Sequence, residues 1–227
     1  MRKLLIGLVV TTLLLSSASA GLAVSNNPII EKLTFVHYAK PSDQSKPIWD
    51  DQVGDFRLIA GGIKWFETIS YEVNPSGSSL APETVQLNFE ASSETWDLET
   101  PFDLFAVPTI TLYSYIGHDG TNRIIWKLLS PGVIAVIYLW YIPKAKEIVE
   151  FDMIFNTYYP WSISGEPGKM DLRNIATHEF GHNGLDDLRS PRAQCLTMYA
   201  FSSLGETFKR TLGTGDRLGI QKLYGGY

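Results

Sequence analysis

His178 and His182 stand four residues apart with Glu179 between them, and this spacing dictates the local structure before any other feature enters. At about 100° per residue, positions i and i+4 lie roughly 40° apart around a helix and one turn apart along it, so a helix lets both imidazoles converge on one point. Leu172, Ile175, Ala176 and Phe180 surround them with apolar side chains, which predicts a helix buried around most of its girth. Asp171 suits its N-cap. Gly184 is placed to end it in a left-handed turn.

Neutral imidazoles on one helix face are metal donors, and a carboxylate beside them that does not ligate stands where a general base takes a proton from a zinc-activated water. The pattern is H-E-x-x-H, with Glu179 as the base. The plain alternative is a helix whose histidines only pack or cap; with four histidines in the whole chain, chance alone rarely produces this arrangement. One catalytic zinc takes three donors from the protein and keeps a fourth position open. Asp187, three residues after Gly184, can fold back over the helix end as the third donor, and Asp186 is close enough to compete. Cys195 offers a thiolate but reads more simply as a small buried side chain. Glu206, the one glutamate after Glu179, sits in a segment with little helical signal and is a poor third donor.

Composition narrows the setting. Arg2 and Lys3, the apolar run Leu4 to Leu15 and Ala18-Ser19-Ala20 read as a signal peptide over residues 1–20, which implies a secreted, extracellular chain. Its removal leaves 207 residues, room for one domain with a sizeable core, and moves the formal charge from −5 to −7 because Arg2 and Lys3 go with it. An acidic chain without a basic run excludes nucleic acid and, after signal removal, an anionic membrane as partners. A single cysteine excludes an intramolecular disulfide. Nothing calls for a second copy, so a monomer is expected.

Residues 21–60 mix polar turns with short apolar pieces and read as a loosely structured N-terminal extension or propeptide; His37, within an apolar piece, reads as ordinary packing. The catalytic domain is expected over 61–227. Ile69 to Val73 alternates as a strand, Pro82 opens a helix through Val85, Phe89 and Trp96, and Pro108 to Ile116 reads as another strand. His118 and Asp119, in the turn Gly117 to Asn122, are candidates for a structural ion such as calcium, although a solvated turn is the simpler reading and nothing else supports calcium. Gly132 to Ile142 is a core strand, paired in a hairpin with the alternating run Val149 to Phe155. A last helix runs from about Thr214, its cap, to Leu223, with Leu218 and Ile220 packing inward.

Ala176 to Leu188 together with Leu196-Thr197-Met198-Tyr199 resembles the matrixin branch of the metzincin zinc endopeptidases, and weaker likeness extends from about Trp65 to Tyr224. The resemblance implies an α+β fold in which a twisted mixed β-sheet packs on two long helices, with a C-terminal helix after a methionine turn. It implies His178 and His182 as zinc ligands, Glu179 as general base and Met198 as the methionine of the turn. It further implies that the edge strand Ala135-Val136-Ile137-Tyr138 pairs with an extended peptide or protein substrate. Two departures stand out. The interval from His182 to the glycine is one residue short, and aspartate replaces the third histidine, as in the snapalysin-like metzincins. Counting three residues from Gly184 gives Asp187, whereas counting ten from His178 gives Leu188, which cannot ligate; Asp186 would then turn away toward Arg189. The implied activity is endopeptidase; the alternative is a secreted binding protein on a disabled peptidase scaffold.

Overall fold

The computed structural model describes residues 28–40 and 50–226. The expected signal segment and the polar turn Pro41-Ser42-Asp43 lie outside the described residues. In chain order the strands are β1 (Glu31–Ala39), β2 (Tyr71–Val73), β3 (Thr109–Ile110), β4 (Asn122–Lys127), β5 (Val133–Ile142), β6 (Glu147–Asn156), β7 (Trp161–Ser162), β8 (Met170–Asp171) and β9 (Phe201–Ser202). The helices are α1 (Pro82–Asp97), α2 (Leu172–Gly181) and α3 (Thr214–Tyr224). A mixed seven-stranded sheet runs in the order β3-β2-β4-β6-β5-β1-β9, and β7 and β8 form a separate parallel pair.

The apolar run of β5 packs as a buried strand of the antiparallel β5–β6 hairpin. Helices α1 and α2 lie together against the sheet, and Phe180 of α2 makes edge contacts with Phe89, Phe105, Tyr71 and Phe151 at ring separations of 4.9–6.3 Å. Such T-shaped aromatic packing fixes helix against sheet more specifically than aliphatic contact would. Trp96, fully buried at the end of α1, donates its indole N–H to Thr177 O at 2.8 Å and so ties α1 to the turn before the histidines.

Four local expectations fail for identifiable reasons. Residues 31–39 are not loose: they form the nine-residue β1, whose pairing partner lies about a hundred residues on, beyond the reach of local pattern. The strand expected over Pro108 to Ile116 contracts to Thr109–Ile110, and beyond it Leu112, Tyr113 and Tyr115 stay exposed. Gly213 rather than Thr214 occupies the N-cap of α3, and Leu218 faces outward at 45% exposure while Ile220 is buried. Gly184 is not left-handed. Its need is space: a Cβ there would meet Leu223 Cδ1 at 2.4 Å, so the glycine lets α3 close against the end of α2.

Candidate metal centre and peptide groove

Asp171 accepts from Asn174 N at 3.0 Å and caps α2, which then carries His178, Glu179 and, at its C-terminal boundary, His182 into the interior. All three side chains are fully buried. The chain leaves α2 through Asn183, whose Oδ1 accepts from Trp65 Nε1 and whose carbonyl accepts from Tyr224 Oη. It then runs beside Arg57–Ile59 and returns toward the turn at Met198, where Leu188 N donates to Met198 O. That return brings Asp187 back over the helix end.

His178 Nδ1 meets Thr197 O at 2.7 Å and His182 Nδ1 meets Leu185 O at 2.9 Å. A carbonyl only accepts, so each Nδ1 carries the proton and each neutral ring turns the lone pair of Nε2 inward. The two Nε2 atoms lie 3.4 and 3.7 Å from Asp187 Oδ1. Three acceptors therefore face one another, and all three are buried without a hydrogen-bond partner. Such a cluster is unfavourable unless a cation lies among them. Tetrahedral donors at zinc distances sit about 3.3 Å apart, so these separations and this His-His-Asp set suit a zinc-sized ion. Burial holds both imidazoles below their ordinary pKa, His182 at about 4, which keeps the lone pairs free at neutral pH. Burial pushes Asp187 up, but positive charge beside it, on Arg189 or on either ring when protonated, favours the carboxylate and lowers its pKa.

Asp186 turns away, as its register predicts, but toward Arg57 at 3.0 Å; Arg189 instead approaches Asp187 at 3.6 Å. Glu206 accepts from Asn174 Nδ2 and Ser203 N and lies outside the two donor clusters found among the described residues, one of His178, His182 and Asp187 and one of His37, His178 and Glu179, as does buried Cys195. In the turn before β4, Glu150 accepts from Asp119 N and Gly120 N, while Asp119 pairs with Arg123 at 2.7 Å, so backbone and arginine already satisfy these carboxylates.

Glu179 stands beside the triad. Its Oε2 is buried and unpartnered, and burial together with the Asp187 carboxylate pushes its pKa well above the ordinary range. Met198 is buried beneath α2, where Gly181 leaves room for it; a Cβ there would come within 2.2 Å of Met198 Sδ. A residue that the sequence left without a role holds this turn. Asp216, in the first turn of α3, accepts from Thr197 N at 2.8 Å, Met198 N at 3.0 Å and Gly213 N at 2.9 Å. The Thr197 peptide it grips also orients His178, the kind of outer contact that fixes a ligand's tautomer.

Ala135 to Tyr138 do not form an edge. They pair with β6 on one side and with residues 34–37 of β1 on the other, in an antiparallel register of Thr34↔Tyr138, Phe35↔Ile137, Val36↔Val136 and His37↔Ala135. At its end β1 also pairs in parallel with β9, Tyr38↔Phe201 and Ala39↔Ser202. Its inward face crosses the triad: Phe35 stacks on His182 with ring centres 4.3 Å apart, and His37 lies 3.9 Å from the His178 ring with Nδ1 3.0 Å from Glu179 Oε1. His37 is thus part of the site rather than ordinary packing. The alternation of Leu33, Phe35 and His37 with Lys32, Thr34 and Tyr38 was the available signal for a strand, but nothing in it named the partner.

Comparison with known proteins follows the same residues. The family model described as Matrixin matches residues 131–225. Stromelysin-3 of Mus musculus is 27% identical over 180 residues, covering 74% of this chain and 33% of its own length, and stromelysin-3 of Homo sapiens is 26% identical over the same shares. Matrix metalloproteinase-25 of Homo sapiens is 24% identical over 185 residues, 74% of this chain and 30% of its own. The chain thus spans about a third of the length of the curated relatives it matches. These likenesses support a matrixin-like metallopeptidase domain. Among the described residues, no helix is long and apolar enough to cross a membrane.

Proposed function

We propose that this chain is a secreted zinc endopeptidase in which His178, His182 and Asp187 hold the ion and Glu179 is the general base. The observation that carries this reading is the convergence of three buried, unpartnered donor atoms beside the unpartnered Oε2 of Glu179. When bound, zinc supplies a Lewis acid that polarises a carbonyl oxygen and brings water within reach of deprotonation near neutral pH. The carboxylate ligand cancels one unit of the ion's charge, so that Lewis acid is weaker than one held by three imidazoles.

The protein's own groups do the rest. Glu179 takes the proton from the attacking water and passes it to the leaving amine. Strand β5 holds the substrate backbone in extended form through Ala135 to Tyr138, with main-chain pairing that makes little demand on sequence. In the folded chain β1 fills this place, antiparallel to β5 and parallel to β9, so hydrolysis requires β1 to leave. The filled groove is also what gives weight to a second reading, a scaffold that binds and does not cleave.

Metal analysis of the purified chain, paired with digestion of unfolded casein, separates the two. Glu179→Gln keeps the shape but cannot accept a proton; zinc content should be unchanged while hydrolysis falls by about 10²- to 10⁴-fold. Full activity in that variant removes Glu179 from the mechanism.

A further inference from the structure

His37 does more than cover Glu179. Its Nε2 lies 3.0 Å from Ser202 Oγ and 3.4 Å from Lys209 Nζ. An ammonium only donates, so Nε2 is the acceptor, and Nδ1–H therefore donates to Glu179 Oε1. Lys209 is fully buried, and its other two protons go to the carbonyls of Tyr199 and Phe201, which follow the turn at Met198. Its position is built in: Lys209 N donates to Asn174 Oδ1 at 2.9 Å, and Asn174 lies one turn before His178 on α2. Burial lowers the ammonium to about 8, still above neutral pH, with Glu206, Asp187 and Glu179 opposing the fall.

If β1 leaves the groove, the third proton of Lys209 and the hydroxyl of Ser202 lose the acceptor that His37 brings. We propose that Lys209 and Ser202 form the floor of a side-chain pocket in the peptide groove, and that this pocket selects substrate residues bearing a hydrogen-bond acceptor in the place His37 fills. The proposal rests on the peptide-groove reading above. A carboxamide, carboxylate or neutral imidazole satisfies the floor; an aliphatic side chain strands a buried cationic donor. That difference corresponds to about 10- to 100-fold in affinity.

The test uses the intact chain, with β1 as the bound peptide. Glutamine can replace both contacts of His37, accepting from Lys209 and donating to Glu179, whereas leucine fills the volume alone. His37→Gln should melt about 3–10 °C above His37→Leu. Repeating both in a Lys209→Met background removes the selecting charge, and the gap should shrink to about 1 °C or reverse, which isolates the coupling from any general cost of losing the lysine. A gap that persists unchanged without the lysine, or leucine equal to glutamine with the lysine present, overturns the proposal.

Should Lys209→Met fail to fold, a restrictive protease site inserted between Lys40 and Asp50 and cut after folding gives a second route. Labelled peptides of residues 29–40 with His, Gln or Leu at the thirty-seventh position then compete for the groove. His and Gln should bind about 10- to 100-fold tighter than Leu; a Leu peptide that binds equally well, or the absence of any binding, overturns the pocket. Neither measurement needs catalysis, so a chain that shows the binding preference but never cleaves casein would sink the peptidase reading alone.

Discussion

Replacing Asp187 should abolish tight metal binding, and replacing Asp186 should leave it intact. Asp187 Oδ1 lies 3.4 and 3.7 Å from the two Nε2 atoms, so Asp187→Ala removes one of the three converging donors, and comparing melting with and without zinc cancels its effect on the metal-free fold. Loss of an outer-shell partner already costs about 10- to 100-fold in metal affinity, so loss of one of three direct donors should exceed about 100-fold, roughly 2.7 kcal/mol. Asp186 holds Arg57, whose side chain is 69% exposed, and such a pair contributes about 0–1 kcal/mol. Stabilisation by a ligand falls by the same energy as its affinity once zinc is in excess. For a domain of this size each kcal/mol moves the melting temperature by about 2–4 °C. The zinc-induced rise in melting temperature should therefore be about 5–10 °C smaller in Asp187→Ala than in the parent, and within about 3 °C of the parent in Asp186→Ala. Melting with and without zinc, together with competition against a chromophoric chelator, reads both numbers. If Asp186→Ala loses the metal and Asp187→Ala keeps it, the register of the shortened spacer is wrong.

Gly181→Ala should lower stability by about 1–3 kcal/mol despite the better helix propensity of alanine, because its Cβ would press on Met198 Sδ and on Trp96 Cζ2 at 2.6 Å; a melting temperature at or above the parent's would contradict that packing. Asp97, raised to about 7 chiefly by burial although it accepts from Leu104 N and Phe105 N, binds a proton in the folded chain that the unfolded chain releases near pH 4. Its contribution to stability is therefore present below about pH 4, where both states are protonated, and is lost as pH rises toward 7. The melting temperature of the parent relative to Asp97→Asn should accordingly fall between pH 5 and pH 8; an offset that does not change with pH would refute it.

What the sequence made legible depended on how local the physics was. The spacing of His178, Glu179 and His182 specifies a helix face outright, and α2 follows with Asp171 at its cap. Counting from Gly184 points to Asp187, but the glycine serves space rather than a left-handed turn, since nothing in the sequence shows that α3 will lie against it. Asp216 was invisible for the same reason: three backbone donors from Gly213 and the Met198 turn come to it only once α3 is docked. Strands β5 and β6 are readable from an apolar and an alternating run, but buried β4 and the order of the sheet are not. The resemblance implies an edge at Ala135 to Tyr138; that β1 covers it leaves no local trace, because β1 is joined to β5 by no short turn.

Lys209 shows the limit most clearly, because a lysine next to Arg210 in a largely polar segment carries no sign of burial. Its burial is the joint product of Asn174 fixing its backbone and two carbonyls after the methionine turn accepting its protons. An uncompensated ammonium there would be costly, and the opposing charges of Glu206, Asp187, Glu179 and Asp216 are what allow it to persist. The dependence runs both ways. Asp187 places a negative charge beside Glu179, and Lys209 lowers the proton affinity of that glutamate which Asp187 raises. Asp187 and the buried lysine are therefore one electrostatic arrangement, in which the cation offsets the charge that the aspartate adds beside Glu179.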